Sequence, residues 1–177
     1  MAIREIIKYP DPLLRKKARP ITEFNAELKE LVADMAETMY AAPGVGLAAN
    51  QIGVLLQIVV IDVSPKEDKT KLIPLINPEI LAGEGSVIDE EGCLSVVDYA
   101  ANVERFSLIK VCARDLEGKK IEFEADGWFA RVIQHEVDHL EGKLFIDHLS
   151  SLKRALYKKK RRKQLLREEQ ERAENND

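Results

Sequence analysis

The chain has 177 residues, 45% hydrophobic and 33% charged, an ordinary balance for one globular domain with a buried core. No apolar run approaches the roughly 18 residues of a membrane-spanning helix, and the longest, residues 54–61, is broken by Gln57. The net charge of −4 hides an asymmetry, since residues 150–177 carry 10 Lys and Arg against 5 Asp and Glu while residues 1–149 carry 17 against 26. The opening residues lack the apolar stretch and cleavage site of a secretory signal and are too acidic for a transit peptide. Two cysteines cannot build a disulfide framework, so a reducing, cytoplasmic setting is expected.

Pro10, Pro12 and Pro20 impose an extended, irregular opening segment. Asn25 suits a helix N-cap, and Leu28, Leu31, Val32, Met35 and Met39 follow at helical spacing as a core stripe. Pro43-Gly44 ends that helix. Residues 44–53 (GVGLAANQIG) are small and nearly uncharged. The paired glycines look like the start of a dinucleotide fingerprint, but Ala49 stands where its third glycine belongs and no strand precedes it, so that reading is rejected. Glycines here instead let backbone approach another group closely. Residues 55–63 read as a buried strand and 72–76 as a shorter one. Residues 103–113 and 119–125 read as a hairpin around Asp115 to Gly118. Asp126 caps a second helix over residues 127–141, stopped by Gly142. Ser150 or Ser151 caps a third, highly charged helix with Leu152, Leu156, Leu165 and Leu166 as weak apolar anchors. The pattern predicts an α+β domain over residues 1–149 and a basic, largely solvated helix over residues 150–177.

The chemistry concentrates in residues 134–139 (QHEVDH). His135 and His139, at i and i+4, lie on one helix face about 6 Å apart at Cβ, close enough to share one metal ion. Glu136 lies about 100° round the helix, poorly placed as a ligand but able to reach a water held there. Trp128 and Val132 continue the histidine face, which reads equally as an apolar pocket beside the metal and, for Trp128, as plain core. Phe129, Ile133, Val137 and Leu140 form the neighbouring stripe, which faces the core. A third ligand is needed. Where the HExxH zinc proteases carry a downstream histidine, this chain has Phe145, and His148 comes three residues late. Cys112 lies in an alternating strand and reads as a buried or half-buried thiol. Cys93, beside Gly92, is the better ligand, and a thiolate with two imidazoles leaves a fourth position for water, as catalytic sites do. Glu91 and Asp138 read either as carboxylates that orient an imidazole or pair with Arg105, or as plain surface charge.

Residues 44–51 (GVGLAANQ), 91–95 (EGCLS) and 134–142 (QHEVDHLEG) resemble, in order and separation, the three motifs of the peptide deformylases; residues 9–15 (YPDPLLR) are similar too, and the resemblance spans residues 3–150. It implies antiparallel sheets packed around a central metal-binding helix, with a C-terminal helix appended. It implies removal of the formyl group from the N-terminal methionine of newly synthesised polypeptides, with release of formate. Ferrous iron is the implied native metal, with zinc, nickel or cobalt able to occupy such sites. Carried over residue by residue, the resemblance makes Cys93, His135 and His139 the ligands and Glu136 the general base. Gln51 and the backbone N–H of Leu94 match donors to the formyl oxygen, Gly46 matches a backbone contact to substrate, and Val45, Gly92, Trp128 and Val132 match the methionine pocket. Two positions depart from the family pattern: Val97 replaces a proline, and Ala100 stands where many members carry an arginine. Both bear on the pocket rim rather than the reaction. The resemblance also associates the C-terminal helix with ribosome docking, which suits the 8 basic residues, with no acidic one, between positions 153 and 163. Two other readings compete: an HExxH metallopeptidase using Glu168 or Glu169 as third ligand, and an RNA- or ribosome-binding protein with a structural metal held by four side chains.

Overall fold

In the computed structural model, which describes residues 2–65 and 71–177, the chain forms three helices and seven strands. They are α1 (Ala26–Ala41), β1 (Gly46–Ala48), β2 (Ile58–Ile61), β3 (Ile73–Glu84), β4 (Val87–Cys93), β5 (Val96–Arg105), β6 (Leu108–Arg114), β7 (Lys120–Asp126), α2 (Gly127–Leu140) and α3 (Ser151–Asn175). Five strands make an antiparallel sheet in the order β1-β2-β3-β6-β7, and β4 and β5 pair as a separate antiparallel ribbon.

Alternation along β2 sets the layers, since successive side chains point to opposite faces. Ile58 and Val60 pack with Leu28, Val32, Met35 and Met39 of α1. Val59 and Ile61 pack with Ala130, Val132, Ile133 and Leu140 of α2. The strand is therefore buried on both sides, which is why its sequence is an unbroken apolar run. Each such aliphatic side chain contributes about 1.5–3 kcal/mol on burial. Asn25 caps α1 by accepting the Leu28 N–H at 3.1 Å. α2 stops where expected, at a left-handed Gly142 (φ +75), and a Cβ there would collide with the Arg15 carbonyl. The α+β architecture with a central α2 is the one the sequence predicts.

Several elements differ from the sequence expectation, each for a local reason. β3 continues eight residues past Ile76, through Asn77 and Pro78, by means of a bulge. Asn77 takes a left-handed backbone (φ 50), and its amide bonds the Ile21 N–H and C=O at 2.7 and 2.9 Å. β4 is a strand that the sequence pattern does not mark, because its acidic residues Asp89 and Glu90 lie on an exposed ribbon. The expected strand over residues 103–113 is two strands that leave one sheet for the other at Phe106 and Ser107. Gln134 pins that crossover: its Oε1 accepts the Phe106 N–H and its Nε2 donates to the Phe106 carbonyl, both at 3.0 Å. Asp126 holds the cap position of α2 but makes no capping bond, because it is also the last residue of β7.

α3 is capped by Ser150, whose Oγ accepts the Lys153 N–H at 3.2 Å. It docks differently from the expectation. Leu152, Leu156 and Leu166 are exposed, and the buried residues are Tyr157 and Arg161. Tyr157 packs between Tyr9 and Tyr99, at ring separations of 5.5 and 4.8 Å, in a cluster with Leu14, Val96, Val103 and Phe145. Arg161 Nε donates to the Tyr9 carbonyl at 2.8 Å. The helix is held by two amphipathic side chains whose apolar stems are buried.

Candidate metal centre and active site

Three elements converge on one point. α2 carries His135, Glu136 and His139; the turn of the β4–β5 ribbon carries Cys93; the 3-10 turn Ala49–Ile52 carries Gln51. One donor atom from each of Cys93, His135 and His139 lies within 4.8 Å of the others, and among the described residues this is the one such trio of His, Cys or acidic donors. The Cys93 Sγ is 3.3 Å from His139 Nε2. Cys112 is half-buried on β6 and outside the trio, and Glu168 lies on α3 against Arg161. His148 sits 2.8 Å from the Asp138 carboxylate instead of facing the trio.

Glu91 organises the space behind His135. Its Oε1 accepts from His135 Nδ1 and Arg105 Nη2, both at 2.9 Å, and its Oε2 accepts from Arg105 Nε at 2.9 Å and Arg131 Nη1 at 2.6 Å. Fixing Nδ1 in this way leaves His135 Nε2 as the ring nitrogen available to a metal. Burial alone would raise the Glu91 carboxyl, but the bonds from Arg105 and His135 outweigh it and hold it down at about 2. Asp138 also pairs with Arg105, at 2.7 Å. Burial disfavours the charged form of His135, yet its bonds to Cys93 and Glu91 win and make it more basic than usual. Burial dominates at His139 and keeps that imidazole neutral, as ligation requires.

Glu136 is 4% exposed, and its Oε2 has no hydrogen-bond partner among the described residues. Burial pushes its carboxyl up to about 7. Gly46 makes this placement possible, since a Cβ on it would lie 2.7 Å from Glu136 Oε1 and 3.0 Å from Val132 Cγ1. Gln51 is held by its own amide: Oε1 accepts the Ala48 N–H at 3.0 Å, Nε2 donates to Ser95 Oγ at 3.1 Å, and Nε2 lies 3.6 Å from Cys93 Sγ. Its amide nitrogen is thus held between Ser95 and the Cys93 corner of the trio. A cavity of about 340 Å³ opens over these atoms, lined by Val45, Gly92, Leu94, Trp128 and Val132 among others. Trp128 is 49% exposed, so it is a wall of the cavity and not a core residue.

Sequence reasoning passed over Arg131 and Ser95. Arg131 had a readable signal, a charged residue one turn before His135 on a helix whose neighbouring stripes are apolar. Ser95 had none, because its role depends on the fold bringing Gln51 alongside. Phe145, noted only as a missing histidine, stacks on His135 with ring centroids 6.0 Å apart.

Comparison with known proteins decides among the readings of this site. The family model for polypeptide deformylase matches residues 3–155. The chain belongs to the polypeptide deformylase family. It is 52% identical over 160 residues to the peptide deformylase of Thermodesulfovibrio yellowstonii, covering 90% of this chain and 97% of that protein. It is 53% identical over 167 residues to that of Desulfotalea psychrophila, covering 94% and 99%. The crystal structure of a peptide deformylase from Legionella pneumophila superposes with a TM-score of 0.86 at 46% identity, covering 93% of this chain and 98% of that one. The Synechococcus elongatus enzyme, solved in complex with actinonin, gives a TM-score of 0.81 at 38% identity, covering 84% and 81%. The protein is thus a metal-dependent hydrolase that removes the N-formyl group from the N-terminal methionine of nascent polypeptides, releasing formate. Neither the metallopeptidase nor the structural-metal reading finds support. Among the described residues, no helix is long and apolar enough to cross a membrane.

The donor set fits the metal that the family requires. One thiol and two imidazoles suit a borderline-soft divalent transition metal and not magnesium or calcium. A buried carboxylate oxygen without a partner lies on the same helix beside them, as a water-activating base requires.

Proposed function

We propose that Cys93, His135 and His139 hold one divalent ion, natively Fe2+, and that Glu136, Gln51 and the Leu94 N–H act on the formyl group beside it. The observation that carries this reading is the convergence of a thiol and two imidazoles next to a carboxylate whose Oε2 has no partner among the described residues, beside a partly apolar cavity. When bound, the ion lowers the pKa of water from about 15.7 toward 7 and polarises the formyl carbonyl. Glu136 takes one proton from the attacking water on its Oε2 and returns it to the amine nitrogen as the C–N bond breaks; the water's other proton, left on the new carboxyl group, then passes to the amine, so that formate and a protonated methionine amine leave. Gln51 Nε2 and the Leu94 N–H donate to the formyl oxygen as negative charge grows on it, each worth about 3 kcal/mol in the transition state. Val45, Gly92, Trp128 and Val132 enclose the methionine side chain, and the backbone of Gly46 holds the peptide. The test is formate release from formyl-Met-Ala-Ser by iron-loaded protein kept from oxygen. Turnover that disappears on chelation and returns with Fe2+ supports the reading; turnover indifferent to chelation contradicts it.

The C-terminal helix serves as an electrostatic anchor to the ribosome in the cytoplasm. Lys153, Lys158, Lys159, Arg162 and Lys163 are exposed on it, and a polyanionic RNA surface would neutralise them. Removing the helix would also remove Tyr157 from the core, so charge neutralisation is the cleaner perturbation. Glutamine at those five positions should spare turnover of the free tripeptide and abolish ribosome co-sedimentation at low salt. Undiminished co-sedimentation would exclude the anchor.

A further inference from the structure

We infer that Arg131 is a positioning residue for the metal centre: its guanidinium staples both strands of the ribbon that carries Cys93 to the helix that carries His135 and His139. The inference rests on the ligand assignment above. Among the described residues the ribbon β4–β5 shares no strand pairing with the five-stranded sheet on which α2 packs, so apart from the Tyr9 N–H to Ser95 carbonyl bond the position of Cys93 relative to the two histidines rests on side chains. Arg131 supplies the link that reaches both strands, beside the single-strand links Arg105 to Asp138 and Glu91 to His135. Its side chain is 6% exposed. Nη2 donates to the Val87 carbonyl of β4 at 2.7 Å, and Nη1 donates to the Val103 carbonyl of β5 at 2.8 Å and to Glu91 Oε2 at 2.6 Å. One rigid planar group thus grips both strands and the carboxylate that orients His135. Arg131 also precedes His135 by one helical turn, so a shift of that turn against the ribbon moves His135 relative to Cys93.

The charges agree with a positioning role. Arg105 and Arg131 face Glu91 and Asp138, two cations against two anions, with His135 and His148 bonded to the same two carboxylates. A lysine at 131 would keep the charge but offer a single point donor in place of a fork. A methionine would keep the apolar stem, strand both carbonyls, and leave the network with a surplus negative charge beside His135.

The test uses the full-length chain loaded with Co2+, whose absorption reports thiolate coordination. Arg131→Lys and Arg131→Met should bind Co2+ about 10–100-fold more weakly than wild type in chelator competition, with the methionine variant weaker, and the thiolate–cobalt band should shift. Arg4→Gln, which removes a half-exposed guanidinium from its pair with Asp34 of α1, supplies a control for general loosening and should leave the band in place. Co2+ affinity within twofold of wild type and an unchanged band in Arg131→Lys, and in Arg131→Met if it folds, would overturn the inference. Absence of the band in wild type, or its survival in Cys93→Ala, would instead mean that the ligand assignment itself is wrong.

Discussion

Replacing Gly46 with alanine puts a methyl group into space that Glu136 already occupies. The new Cβ would stand 2.7 Å from Glu136 Oε1, 3.0 Å from Glu136 Cγ and 3.0 Å from Val132 Cγ1. β1 cannot retreat easily, because Gly46 is paired with Ile61 across the sheet. The Glu136 carboxylate must therefore recede by about 0.7 Å to regain ordinary contact distance. Misplacement of a catalytic group by about 1 Å costs on the order of 10²-fold, so kcat should fall roughly 10–50-fold, or about 1.4–2.3 kcal/mol in the barrier. Stability should change less. Overpacking costs about 1–3 kcal/mol, and the lost freedom of the unfolded chain returns about 0.4–1 kcal/mol. The assay is steady-state formate release with metal content and Tm measured on the same sample. A kcat within twofold of wild type, at full metal occupancy, would refute the placement of Glu136 over Gly46 as the working geometry.

Cys93→Ala should lose bound metal while Cys112→Ala retains it, as read by metal analysis after gel filtration; retention in both would remove the thiol from the ligand set. The walls Val45, Trp128 and Val132 predict that formyl-methionyl and formyl-norleucyl peptides are processed far better than a formyl-aspartyl peptide, and comparable kcat/KM values for all three would contradict an apolar pocket. Because the Glu91 carboxyl is held at about 2 against an ordinary 4.5, its bonds contribute about 3 kcal/mol that is present above pH 4.5 and lost as pH falls toward 2. Metal-free wild type should therefore lose more stability than metal-free Glu91→Gln between pH 5 and 2.5, and parallel pH profiles of unfolding would count against the Glu91 network.

What could be read from the sequence followed its periodicities. α1 and α2 announce themselves by caps and by stripes at i, i+3 and i+4, and β2 by its unbroken apolar run. His135 and His139 are legible because one helical turn alone brings them together. Other features depend on contacts between distant segments. The ribbon strand β4 is acid-rich and exposed, so no alternation marks it, although its buried Glu91 ties two arginines and a ligand together. The crossover at Phe106 interrupts no apolar pattern, because Gln134 satisfies its backbone from another element. α3 differs for a related reason: of the leucines that read as its weak anchors only Leu165 is half-buried, whereas Tyr157 and Arg161, at i and i+4, reach the core.

The most direct test of the account is Glu136→Gln. The amide keeps the shape of the side chain but cannot take a proton from water. Metal should remain bound at wild-type stoichiometry while kcat for formate release falls by roughly two orders of magnitude or more. A metal-replete Glu136→Gln protein that turns over at a near-normal rate would contradict the account at its centre.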